Sequence, residues 1–303
     1  MGRLAFPGRG QPRRVQRARG AAVRLPRAVG RRALGGRTRP QARRRRLEPH
    51  QKDDGGAPPG ARAGEGDGSD RGLVKEKLLR AIDQGREREA ELEAFVVDEP
   101  ANPDGRWNAK DHLAHLSWWR WRSAQTLDAM RTGSELPPPV PDDDGVQNAI
   151  IYDQVKDRPA ADVQADAAES WTALRKAVEA SSAEDLAKPH PRQPESQVWE
   201  AVPGAIGHAG THIWSWHLDL GDENRAMTAA RWASDVEGSF FTKPEQLAES
   251  RYNLACVYAR LGKPDEALPL LRQSFEAKPE LMAWARKDRD LDLIREALAP
   301  ILL

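Results

Sequence analysis

A single cysteine, Cys256, stands among the 303 residues, so no disulfide can close within the chain and the main sequence argument for an oxidising compartment is missing. The expected location is cytoplasmic. No uninterrupted apolar run approaches the roughly 20 residues that span a bilayer, so no membrane partner is expected. β-Hairpin and βαβ signals are also lacking. No Ser-His-Asp or Cys-His arrangement can be read, which leaves a catalytic triad without support.

Acidic residues are almost absent from the start of the chain. Residues 1–52 hold sixteen Arg and one Lys against Glu48 alone, a balance of +16; with a formal charge of +1 for the whole chain, −15 is left for residues 53–303. Residues 1–70 have no aromatic besides Phe6, and such a stretch buries too little apolar surface to offset its ordering entropy. Residues 1–71 are therefore read as a disordered Arg/Gly/Pro-rich tail. Arg43 to Arg46 fit a nucleic-acid-binding arm or an organellar presequence, although one serine, Ser69, and no apolar stripe speak against the latter. The plainer readings are a solvated tail, or translated upstream sequence with the true start near Val74. The acidic balance of the remainder argues against nucleic acid as a partner of residues 72–303.

What is present is helical periodicity. Val74, Leu78, Ile82, Leu92 and Phe95 predict an amphipathic helix to about Val97, ended by the turn-rich stretch from Asp98 to Gly105. A second helix starts at Asn108, which can cap it with Asp111 as reciprocal partner. It carries Leu113, Leu116, Trp119, Leu127 and Met130 on one side, with His112 and His115 flanking them. After the linker containing Pro137, Pro138, Pro139 and Pro141, a third helical stretch from about Gln147 is interrupted by Pro159 and resumes with Val163, Ala167, Trp171, Leu174 and Val178. A proline-rich gap from Lys188 to Pro194 precedes a fourth helix from about Trp199 to Asp219, with Pro203 tolerated in its first turn. Four such helices imply an all-α antiparallel bundle over residues 72–222.

Residues 223–303 form a helical extension, beginning with a helix over 226–241. Within it, residues 248–281 place Leu254, Ala255, Tyr258, Gly262, Ala267, Leu271 and Pro279 as a 34-residue helix-turn-helix repeat would. This resembles a tetratricopeptide repeat, although Arg251 stands where the first large residue is usual. Only one copy is clear, and about three are needed for an independent solenoid. The repeat is expected to pack on the bundle, on helix 226–241 or on another subunit.

His208 and His212 lie four residues apart, so on a helix they project side by side and can share a metal. A third ligand would come from the second helix, as His112 or His115. Pairs at this spacing also arise by chance, so polar positions lining a ligand pocket are the other reading. By helical phase His112 sits nearer the apolar stripe. His217 falls off the pair's face and reads as a helix-end residue, and His190, between prolines, reads as loop. Asp111 and Glu200 are candidate second-shell or general-base carboxylates, with a cap and a helix start as the plainer roles. Cys256 is read as core. Trp118, Trp119, Trp121, Trp214 and Trp216 cluster on the two His-bearing helices, and Trp107 is read as packing the start of the second. Trp216 lies one turn from His212 and can wall a pocket; the ligand pocket is assigned Trp119, Trp216 and His112.

The ordered set Trp107-x-x-Lys-Asp-x-Leu-Ala-His-Leu-x-x-Trp119, Asn148-x-x-Ile-Tyr152, Ser170-Trp-x-x-Leu174, and Trp199 followed by His-x-x-x-His resembles the DinB-like superfamily. Within it the likeness is to the branch containing the ClbS/DfsB four-helix-bundle proteins, over roughly residues 72–220. The resemblance implies an up-down-down-up bundle. In metal-dependent members, often thiol-linked transferases or isomerases, a His on the second helix and a His-x-x-x-His pair on the last bind a divalent metal. Carried across by position, the ligands become His115, His208 and His212, which would hold Zn, Ni, Fe or Mn with water in the remaining positions. ClbS-like members are associated with protection against a reactive small molecule and need not hold a metal. Ile213-Trp-Ser-Trp216 also replaces the Arg-Gly-Gln of the thiol-transferase pattern, which counts against a thiol cosubstrate.

Three functions are expected, in this order. The first is a metal-dependent small-molecule enzyme, hydrolytic or thiol-linked, in metabolite or xenobiotic detoxification. The second is a metal-free bundle that binds or sequesters a reactive metabolite. The third is a scaffold in which the repeat docks a peptide or completes a homodimer.

Overall fold

The computed structural model describes residues 67–98, 107–141 and 143–302. Of the tail read over residues 1–71, residues 1–66 lie outside the described ones, as do residues 99–105, read as a turn, and Asp142, read as linker; residues 67–71 stand at the start of the first helix instead. Helix α1, Asp67–Glu93, buries Leu78, Ile82 and Leu92. It ends earlier than its periodicity predicts: Phe95 N–H turns to the Leu92 carbonyl and Val96 N–H to that of Glu93, tightening the last turn, and Phe95 and Val97 lie beyond it, exposed. Helix α2, Ala109–Thr132, starts from a closed capping box: the Asn108 side chain accepts from Asp111 N at 2.9 Å, and the Asp111 carboxylate accepts from Asn108 N at 3.1 Å. It stops at Gly133, whose φ of +73° is the left-handed conformation that glycine adopts without steric penalty.

Pro159 separates helix α3, Asp144–Val155, from helix α4, Ala160–Ala180, and Asp98 Oδ1 accepts the freed Ala160 N–H at 2.7 Å. After the short helix α5, Ala183–Ala187, the proline-rich gap is not plain loop. Strands β1, Pro189–His190, and β2, Gln193–Gln197, pair antiparallel, His190 against Gln193. With helical geometry broken by the prolines, the backbone groups on either side of the turn pair with each other instead. Helix α6 runs Ala201–Asp219, followed by α7, Glu223–Phe240, and the hairpin α8, Pro244–Arg260, and α9, Pro264–Ala277. No helix among the described residues is long and apolar enough to cross a membrane.

Cross-helix bonds fix the order and direction of the bundle. Lys75 at the start of α1 reaches the carbonyls of Glu179 and Ser181 at the end of α4, and Gln164 near the start of α4 reaches the Glu93 carbonyl, so α1 and α4 run antiparallel. Lys110 bonds the Arg158 carbonyl, Trp121 bonds Asp166, and Lys188 after α4 bonds the Met130 carbonyl, so α2 and α4 run parallel. His208 meets His115 while His212 meets His112, so α6 opposes α2. The result is up-down-down-up, with α3 laid against α2.

Two layers fill the bundle. One, around Leu78, Ile82, Leu127, Trp171, Leu174 and Ile206, occupies the end where α1 begins; there Gly85 leaves room for the Trp171 ring, which a Cβ would meet at 2.6 Å. The other, with Leu92, Leu113, Leu116, Val163 and Ile213, continues without a break into α7, α8 and α9 through Ala226, Ala255, Ala267 and Leu271. Helices α6 and α7 approach closely because Gly207 and Gly210 face Glu237 and Ala233; a Cβ on Gly210 would run into that of Ala233. Gly262, at φ +65°, makes the turn between α8 and α9.

Candidate metal centre

The fold brings four imidazoles into one buried cluster, two from α2 and two from α6. The helical repeat places His208 and His212 one turn apart on α6, facing α2. Their Nε2 atoms lie 2.9 Å from each other, and His115 Nε2 is 3.3 Å from His208 Nε2. One ligand atom from each of His115, His208 and His212 falls within 4.8 Å of the other two, a spacing at which three rings can hold one ion. His112, one turn before His115, is not a member of that group. Its Nδ1 lies 2.7 Å from the Nδ1 of His212, the ring nitrogen that does not face His208. His112, His115 and His212 are buried, whereas His208 is half-buried and marks the open side.

Aromatic rings enclose the cluster. Trp107 lies parallel to His212, 13° apart at 5.7 Å between centroids, and parallel to Tyr152, 10° apart at 6.2 Å, so three rings from three segments form one stack. It also contacts His115 at 4.9 Å. Trp119 donates its indole N–H to His115 Nε2 at 3.0 Å, while His115 Nδ1 and the indole N–H of Trp216 are buried with no partner among the described residues. The Trp216 ring lies 6.1 Å from that of His112 and 6.0 Å from that of Phe95.

Burial keeps all four imidazoles neutral. It holds His112 and His208 down at about 3 and His115 and His212 well below the ordinary value of 6.5. Repulsion among the rings adds to this for His115 and His212, and for His208 the next cause is Arg120. That guanidinium is itself buried. It forms a two-bonded pair with Glu89, donates to Ser170 Oγ at 2.9 Å and to Ser117 Oγ at 3.2 Å, and lies over the Trp171 ring, whose N–H also binds Glu89. Neutral rings offer lone pairs, which is the state a metal requires.

A search against protein families matches the DinB superfamily over residues 28–215, which take in the bundle and all four histidines. The chain belongs to the DinB superfamily. Members of this superfamily often bind a metal, and the buried imidazoles can hold one here. No curated protein and no solved structure matches the chain.

The other residues singled out in the sequence are placed as follows. Asp111 caps α2, and Glu200 accepts from Gln197 N at 3.0 Å in the turn before α6, so both carboxylates are engaged at helix starts. His217 sits in the last turn of α6 but is wholly buried, its Nε2 3.4 Å from Glu91. Cys256 is buried beside Asp288. Trp118 and Trp121 point away from the cluster, to Gln154 and Asp166. Trp214 packs in the core under Arg260. Sequence reasoning did not anticipate Trp107 and Tyr152 as the stack over the cluster, or the Glu89–Arg120 pair behind it. Their meeting depends on tertiary route, and the sequence signal for the pair was Arg120 standing in line with Leu113, Leu116 and Leu127.

Proposed function

We propose that this DinB superfamily protein is a metal-dependent enzyme acting on a small organic molecule, with His115, His208 and His212 as the ligands. The observation that carries the reading is the convergence of three neutral, largely buried Nε2 atoms from two helices. The donor set fits: it contains no carboxylate or thiolate, suits Zn, Ni or Fe better than the harder Mn, and leaves part of the coordination sphere to water or substrate. A divalent ion held there supplies Lewis acidity and lowers the pKa of bound water, toward roughly 7 in the best zinc cases.

The chain's own residues do the rest. Neutral ligands leave the ion's charge uncompensated, and His208 presents the side on which a small molecule approaches. Trp119, whose ring lies 6.1 Å from that of His208, gives that approach an apolar, flat wall suited to a ring or an alkyl chain, while Trp216 faces His112 and Phe95. Hydrolysis is favoured over thiol transfer because Ile213, Trp214 and Ser215 are buried and offer no cation to a thiol cosubstrate. The hairpin α8–α9, read as one tetratricopeptide-like unit, buries its apolar faces against α7 and the segments after residue 280, which supports a bracing role over peptide docking.

Elemental analysis of the full chain, purified without chelator or His tag, tests the reading. About one metal per chain is expected, absent from a His208→Ala, His212→Ala double variant. No metal in a folded wild type contradicts it and leaves a metal-free bundle that binds a reactive small molecule, of the ClbS/DfsB kind. Trp119 occupying the His115 Nε2 lone pair favours that alternative.

A further inference from the structure

His112 belongs to the cluster without belonging to the convergent three. Its contact with His212 is made between two Nδ1 atoms 2.7 Å apart, while His212 turns its Nε2 to His208 at 2.9 Å. Both rings are about 2% exposed, so water cannot take over either nitrogen. Two ring nitrogens this close must share one hydrogen: two lone pairs would repel, and two N–H groups would clash. A neutral imidazole whose Nε2 lone pair is given to a metal carries its hydrogen on Nδ1. His212 is then the donor and His112 Nδ1 the acceptor.

The pair is also clamped. Trp107 stacks on His212 at 13° and meets the His112 ring edge-on at 71°, and Trp216 closes on His112 edge-on at 65°. Neither ring can turn to exchange its nitrogens without displacing a tryptophan.

We propose that His112 is the positioning residue of this site: it holds His212 in the Nδ1–H form with Nε2 aimed at the other two ligand atoms, and it is not itself a ligand. The inference rests on the metal reading above and adds to it the partner that prepares one ligand in advance.

The test uses the full chain, with Zn(II) affinity measured by competition against a chromophoric chelator, Co(II) absorption as a report on the ligand set, and ¹⁵N shifts of the imidazole nitrogens as a report on tautomer. His112→Phe keeps a ring in the space and removes the acceptor; His112→Gln keeps an acceptor oxygen; His115→Ala is the control for loss of a true ligand. His112→Phe is expected to weaken Zn(II) binding about 10- to 100-fold while keeping the Co(II) band pattern of the wild type, with His112→Gln recovering most of the loss. In the metal-free wild type the His212 hydrogen is expected on Nδ1, with His208 carrying its own on Nε2 and donating it across the 2.9 Å contact to His212 Nε2. Unchanged affinity in a folded His112→Phe protein overturns the proposal, as does a Co(II) spectrum altered in the way His115→Ala alters it, which would make His112 a ligand. A wild type that binds no zinc removes the metal reading instead, and the ¹⁵N shifts then decide the pair alone. They also decide it where both His112 variants fail to fold: a His212 hydrogen on Nε2 overturns the assignment, and one on Nδ1 upholds it.

Discussion

His208 and His212 were legible because a spacing of four residues has one geometric meaning on a helix; their partners were not, because nothing local brings α2 to α6. Helical phase set His112 nearer the apolar stripe than His115, yet the structure buries both and separates them by which nitrogen they present and to whom. The neutral state of the four rings has a consequence for stability. Their folded pKa values lie below the unfolded value of about 6.5, so below that pH the unfolded chain binds more protons and the metal-free protein loses stability as pH falls toward 3. Below pH 6.5 the expected slope is about 1.4 kcal/mol per pH unit for each ring that stays neutral, with no loss above that pH, read from urea midpoints at pH 7.5, 5.5 and 4.5. A flat profile would count against the buried neutral cluster. Arg120 carries a second prediction at this scale. Arg120→Ala strands the Glu89 carboxylate, which has no exposed surface, and should cost about 3–5 kcal/mol by urea denaturation; a loss under about 1 kcal/mol would mean that water reaches the pair.

Among the elements, the capping box at Asn108 and the break at Pro159 follow from side chains that satisfy or remove backbone donors, and both were readable. The β1–β2 ladder was not, since two prolines around His190 say only that a helix cannot continue. The early end of α1 was likewise hidden, because Phe95 keeps the helical period after the backbone has left it. The close pairing of α6 with α7 gives a test of packing against propensity. An alanine at 210 is favoured over glycine by about 1 kcal/mol as a helix former, yet its Cβ would run into Ala233 on the facing helix. The clash should win. Gly210→Ala is expected to destabilise by about 1–3 kcal/mol, and Gly207→Ala by less, because the Glu237 side chain it meets can swing away. Thermal unfolding of the two variants checks the order.

At the scale of the molecule, one layer of core runs from Leu113 and Ile213 through Ala226 to Leu271, so the bundle and the C-terminal helices share their interior. A chain ending at residue 222 uncovers the Gly207 and Gly210 face of α6 on the side away from the histidines. Its circular dichroism and tryptophan fluorescence should unfold at lower urea, with the two signals no longer coincident, whereas the full chain shows one transition; an equally stable truncated bundle would contradict a shared core. This arrangement gives α6 a backing on one side and the metal ligands on the other, and the function proposed depends on the second. X-ray absorption at the zinc edge of the zinc-loaded full chain tests that most directly. About three imidazoles bound near 2.0–2.1 Å, counted from the outer-shell scattering of their rings and falling to about two in His115→Ala, are predicted. Sulfur in the first shell, or an imidazole count left unchanged by His115→Ala, would contradict the assignment of His115, His208 and His212.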